Sequence, residues 1–131
     1  MRGEIENIKR KQQINNFRGL LYGKITPTDV DGLIEYKNKA WVLIEVKYLE
    51  NTLPFGQRLA FERLINDVSQ KKQAIAIVAE HSVHNTEQDI MVDGCRVREY
   101  YLSDKKRWME PKQEITVKHL IDKFLYTVNG E

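Results

Sequence analysis

Hydrophobic positions change period several times along the chain. From Glu4 to about Asn16, Ile5 and Ile8 share one side of a polar segment, which predicts a helix. Leu20–Ile25 reads as a short strand that ends at the Thr26-Pro27 break. Gly32–Tyr36 and Ala40–Tyr48 read as two strands joined by a hairpin turn at Lys37-Asn38-Lys39. The second of them, AWVLIEVKY, is apolar on both faces apart from Glu45 and Lys47, as expected of an interior strand. Pro54 then opens a helix to about Lys71 with Phe61, Leu64, Ile65 and Val68 as its stripe, and Ala74–Ala79 follows as a buried strand. Strand, helix and buried strand in that order imply a right-handed parallel crossover. Val92-Asp93-Gly94-Cys95 resembles a type I′ hairpin turn. Val117, Leu120, Ile121, Phe124, Leu125 and Val128 recur at helical spacing, so a C-terminal amphipathic helix should pack on the sheet. The expected class is α/β, with one central mixed sheet flanked by helices in a single domain over residues 1–131.

Composition fits a folded domain. Leu, Ile, Val and Phe make up about 28% of the 131 residues, above the roughly 20% below which chains tend to stay disordered. The net charge of +2 excludes a histone-like or an acidic-tail chain while leaving room for a local basic groove. Cys95 is the only cysteine, so an internal disulfide and a Cys-based zinc site are excluded and a reducing, cytoplasmic setting is expected. No apolar run approaches the ~18 residues of a membrane span, and the N-terminus has no apolar core of a secretory signal.

Chemistry concentrates in Thr28-Asp29-Val30-Asp31-Gly32 and in Glu45-Val46-Lys47. Glu45 and Lys47, two apart on a strand, share a face, and such charges are costly to bury without partners. If the hairpin turn centres on Asn38, cross-strand partner numbers add to 76, so Asp31 faces Glu45 and Asp29 faces Lys47. If the turn is Asn38-Lys39 alone, Gly32 faces Glu45 and both aspartates point away. In the first register, two opposed carboxylates make most sense around a hard divalent cation such as Mg²⁺ or Mn²⁺.

Asp31, about a dozen residues, then Glu45-Val46-Lys47 on an apolar strand resembles the PD-(D/E)XK nuclease superfamily. Thr28-Asp29 and Gly32 ahead of Glu45-x-Lys47 are similar to RecU-type Holliday junction resolvases, and Gln57 is similar to the helix glutamine of RecB-like nucleases. The resemblance covers roughly residues 4–80. It implies a restriction-endonuclease-like core and a metal-dependent DNA endonuclease, a hydrolase of phosphodiester bonds, acting on branched or structured DNA. Asp31, Glu45, Lys47 and Gln57 would be the catalytic set, with Asp31, Glu45, the Val46 carbonyl and Asp29 around Mg²⁺, for which Mn²⁺ can substitute. The proline expected before the motif aspartate is absent, since Val30 precedes Asp31. Strand register favours Asp31 as the main ligand, whereas a RecU-like alignment favours Asp29. Glu4 and Glu6 are equal candidates for an N-terminal glutamate. Small size implies action as a homodimer or as a subunit of a DNA-processing complex in recombination and repair, and a compact nuclease of this kind suits a phage. The alternative is a non-catalytic nucleic-acid-binding or assembly module that keeps the nuclease fold.

Other residues carry weaker signals. Gln57 precedes Phe61 by four, so it should sit at the buried edge near the strand ends, as a site residue or a helix cap. Arg58 and Glu62 read as a solvated pair. A metal site at His81 and His84 would need two more ligands, for which only His119 and Cys95 remain, and a surface loop is the simpler expectation. Tyr100, Tyr101 and Trp108 lie among Arg96, Arg98, Lys105, Lys106 and Arg107, a mixture that suits nucleic acid or a packed hairpin with a basic tip. Lys9-Arg10-Lys11 is a short basic run on the first helix.

Overall fold

The computed structural model describes Gln13 and residues 16–130. The expected first helix, with Glu4, Glu6 and the Lys9–Lys11 run, lies outside the described residues, apart from Gln13 and Asn16. Among the described residues five strands form one mixed sheet in chain order: β1 (Gly32–Tyr36), β2 (Ala40–Tyr48), β3 (Gln73–His81), β4 (Arg96–Leu102) and β5 (Arg107–Met109). Neighbours run antiparallel except β2 and β3, which are parallel and joined through helix α1 (Phe55–Val68). Helix α2 (Val117–Val128) closes the chain. No described helix is long and apolar enough to cross a membrane.

Period-two alternation in β2 and β3 splits the core between the sheet's two faces. Val42, Ile44, Ile75 and Ile77 pack against Val117, Ile121 and Phe124 of α2. Leu43, Ala74, Ala76 and Val78 pack against Phe61 and Ile65 of α1. The Thr116 hydroxyl accepts the His119 N–H at 3.2 Å and so starts α2 at an N-cap.

The first hairpin has the register that a site at Asp31 needs. Partners run from Gly32 opposite Ile44 to Tyr36 opposite Ala40, so their numbers add to 76. Lys37 and Asn38 have φ of 50° and 59°, and the Lys39 N–H returns to the Tyr36 carbonyl at 2.8 Å. These are features of a primed turn, whose twist matches that of the flanking strands. Lys39 is the extra residue that puts Tyr36 opposite Ala40.

A second irregularity decides what faces α1. Val78 pairs with Glu99 but Ala79 pairs with Val97, so Arg98 is an extra residue in β4. A one-residue bulge exchanges the faces of all that follows. Val97 therefore joins the α2 core, and Tyr101 joins the α1 core.

Several local expectations change. Leu20–Ile25 is not a strand: Arg18–Leu20 is a 3-10 turn, and Tyr22 and Ile25 form an isolated bridge around Gly23 at φ +66°. Val92–Gly94 is a 3-10 turn rather than a hairpin turn: Arg96–Leu102 folds back on β3, which ends at His81, so a longer connection and not a tight turn joins the two strands. Arg58 does not pair with Glu62. Its guanidinium grips Glu99 in two hydrogen bonds of 2.6 and 3.1 Å and lies over the Trp108 ring, while Glu62 accepts the Trp108 indole N–H at 2.9 Å. The bulge that turns Glu99 toward α1 makes this pairing possible.

Candidate active site

On the α1 face, β2 is apolar through Trp41 and Leu43 and then continues with Glu45 and Lys47. These two lie toward the carboxyl end of the strand, beside the first turn of α1, where Gln57 sits on the helix's buried side. Ligand sites in sheets with parallel strands favour this end.

Glu45 is 4% exposed and each of its oxygens has a donor. Oε2 accepts the Gln57 amide at 2.9 Å and lies 3.2 Å from the Lys47 ammonium. Oε1 accepts the Asp31 backbone N–H at 3.3 Å. Gln57, 8% exposed, also donates to the Asp29 carbonyl at 2.9 Å, so it ties α1 to both the strand and the segment before β1. Such satisfaction is what allows a carboxylate to be buried. Burial pushes the Glu45 carboxyl above its ordinary 4.5; the Gln57 bond opposes the rise, the Asp31 carboxylate adds to it, and Lys47 counters it.

Asp31 stands just before β1, opposite Glu45 in the continued register. Its Oδ2 accepts the Val46 N–H at 2.7 Å, where a longer β1 would have offered a backbone carbonyl. The N–H and C=O of a strand residue point the same way, so the Val46 carbonyl faces this open end as well. Asp31, Glu45 and the Val46 carbonyl thus supply three oxygen donors at one corner, a hard-ligand set suited to Mg²⁺ or Mn²⁺. Among the described residues no group of three or more His, Cys, Asp and Glu side chains is placed to hold a metal.

Asp29 reaches the cluster through its backbone. The ladder ends at Gly32, so the expected pairing of Asp29 with Lys47 does not form, and its carbonyl, not its carboxylate, meets Gln57. Gln57 is no helix cap, since α1 starts at Pro54 without a side-chain cap.

Arg98 and Glu80 were not among the residues singled out for this site, yet they border it. Glu80 is the β3 neighbour of Lys47 and takes Arg96 at 3.1 Å and Arg98 at 3.5 Å. Arg98 also donates to the Leu49 and Asn51 carbonyls, which fastens the connection between β2 and α1. Only the bulge brings Arg98 there, and a bulge leaves no mark in the local pattern. His81 and His84 flank the Tyr48 ring, with the tyrosine hydroxyl bonded to His84 Nδ1, and among the described residues no metal-ligating group of three forms around them. Cys95 is buried and packs in the α2 core.

The fold and site define a mixed α/β protein with a linked Asp–Glu–Lys–Gln cluster at the carboxyl end of a parallel strand. No family model, curated protein or solved structure matches the chain.

Proposed function

We propose that the protein is a divalent-metal-dependent deoxyribonuclease built on a restriction-endonuclease-like core. The observation that carries this reading is the convergence of Asp31, Glu45, Lys47 and Gln57 at one corner of the sheet. Asp31, Glu45 and the Val46 carbonyl would hold Mg²⁺ or Mn²⁺, with Asp29 close by. When bound, such an ion lowers the pKa of a water and stabilises charge on a phosphate. Lys47 orients the attacking water and balances developing negative charge. Gln57 fixes the Glu45 carboxylate, and some of the basic residues contact phosphates. The substrate is DNA, in branched or structured form, and the enzyme works as a homodimer or within a larger DNA-processing complex. A cytoplasmic role in recombination and repair, in a phage or mobile element, fits the same reading.

One observation favours the second reading, a non-catalytic nucleic-acid-binding module. Both Glu45 oxygens already have protein donors, so the cluster is satisfied without a cation. Plasmid nicking separates the two. Purified protein with Mg²⁺ or Mn²⁺ should convert supercoiled plasmid to the open form. EDTA, Glu45→Ala and Lys47→Ala should each suppress this, and Ca²⁺ should not support it. Undiminished nicking in EDTA, or none under any metal, would remove the proposal.

A further inference from the structure

The amino end of the sheet carries cations that the candidate site leaves unused. Three connections meet there: Lys37–Lys39 between β1 and β2, Ser69–Lys72 between α1 and β3, and Ser103–Lys106 between β4 and β5. The first two are fixed to one another. The Gln73 N–H donates to the Lys39 carbonyl at 3.1 Å, and the Lys72 ammonium donates to the Asn38 side-chain oxygen. Lys37, Asn38 and Lys106 hold positive φ, so the tips are tight turns rather than loose loops.

Lys37, Lys39, Lys71, Lys105, Lys106 and Lys123 are exposed at this end. None of them forms an ion pair with another described residue, whereas Lys47, Arg58, Arg96 and Arg98 toward the other end are each paired with a carboxylate. The acids nearby are few: Glu35, whose carboxylate takes the Asn38 N–H at 2.6 Å, Asp67 and Asp104. An open groove of about 420 Å³ runs past Asn38, Lys39, Ser69, Gln70 and Lys71. A second, of about 490 Å³, continues past Lys72, Ser103 and Lys123. Beside the first turn, the Asn129 hydrogen bond and then the charges of Lys37 and Lys39 hold the Tyr36 phenol below its ordinary value.

We propose that this end of the sheet binds the phosphate backbone of a nucleic acid. Lysines interspersed with amide and hydroxyl donors are the groups that contact phosphate oxygens. A membrane surface fits less well, because membrane-binding elements add inserting apolar side chains to their cations, and none of the large exposed apolar residues sits on these three turns. The surface shares the nucleic-acid ligand of the proposed function but does not depend on the cutting reaction. It lies at the opposite end of β2 from Glu45 and Lys47, roughly 25 Å away at 3.3 Å per residue. A single ligand touching both ends would span at least about seven nucleotide steps of 3.4 Å.

The test is fluorescence anisotropy of a labelled duplex in EDTA, where nuclease activity plays no part. Lys39→Gln, Lys71→Gln and Lys106→Gln combined remove three cations from this end. Lys24→Gln, Arg63→Gln and Lys112→Gln combined remove three exposed cations from elsewhere. Losing three phosphate contacts should flatten the slope of log K against log salt by about 3 and weaken binding at least about ten-fold at roughly 0.1 M salt. The control triple should stay within about two-fold of wild type. Equal losses in both triples, or an unchanged slope in the first, would overturn the assignment. So would weaker binding to phosphatidylserine vesicles with DNA binding intact. Failure of plasmid nicking together with these shifts would remove the nuclease reading and leave this surface standing.

Discussion

Along β2, the side chains that face α2 stay apolar from Ala40 through Val46, whereas those that face α1 pass from Trp41 and Leu43 to Glu45 and Lys47. β3 does the same, with Ile75, Ile77 and Ala79 on one side and Val78 followed by Glu80 on the other. The same strands thus build an uninterrupted core on one face and end in charge on the other. Apolar packing has no directional demands, so the α2 face can tolerate exchange of similar side chains. The charged corner is held by specific hydrogen bonds, and each of its members is tied to another. Stability should therefore belong mainly to the first face and chemistry to the second.

Truncation of the first face should show the largest effect. Ile77 is fully buried in the α2 core, so Ile77→Ala should cost about 2–5 kcal/mol. At about 4 °C per kcal/mol, Tm should fall by roughly 8–20 °C, as calorimetry would register. Activity per folded molecule should survive. If Ile77→Ala left Tm unchanged, the division between the faces would be wrong.

Gln57→Leu strikes the second face. It removes a hydrogen bond to a buried carboxylate, worth about 1.5–3 kcal/mol when charged, and leaves the Asp29 carbonyl without that donor. Because the Gln57 bond lowers the Glu45 pKa, its loss raises that pKa further. The acid limb of the pH–rate profile should move to higher pH, since the proposed ligand must be ionised. A limb that stayed in place would separate Gln57 from Glu45.

Much of this corner could be read before folding. The alternation of β2, the Lys37-Asn38-Lys39 turn and the register it sets are local features, and they put Asp31 opposite Glu45. Gln57 was legible because it lies four residues before Phe61 on a helix whose buried side was apparent. The partners of Arg58, Arg98 and Glu99 were not, because they join positions 41 to 49 apart and depend on the β4 bulge. Asp-Gly at 93–94 misled because a turn dipeptide makes a tight hairpin only where both strands abut it, and β3 has already ended at His81. Asp29 misled because the ladder stops three residues beyond it, at Gly32.

The smallest effect concerns the cost of the buried charge itself. With its pKa raised in the fold, Glu45 binds more protons folded than unfolded, so its contribution to stability falls as pH rises from the ordinary carboxylate value of 4.5 through the raised one. Glu45→Gln cannot titrate. Relative to this variant, wild type should lose stability across that window in parallel Tm measurements and level off above it. Added Mg²⁺ should raise the Tm of wild type alone above the window, because a bound cation stabilises the ionised form. A wild type that gained stability through the window would mean that Lys47 and Gln57 outweigh burial.

The most direct test of a catalytic corner is the single-turnover cleavage rate of Lys47→Ala on plasmid DNA with saturating Mn²⁺, measured beside wild type. Lys47 makes an ion pair with Glu45 and its side chain is 21% exposed, so it can be removed without opening the core. If Lys47 orients the attacking water and balances charge, the rate should fall by roughly 10²-fold or more while both carboxylates remain to hold the metal. Cleavage at the wild-type rate would contradict the assignment and leave Glu45, Lys47 and Gln57 as a structural network.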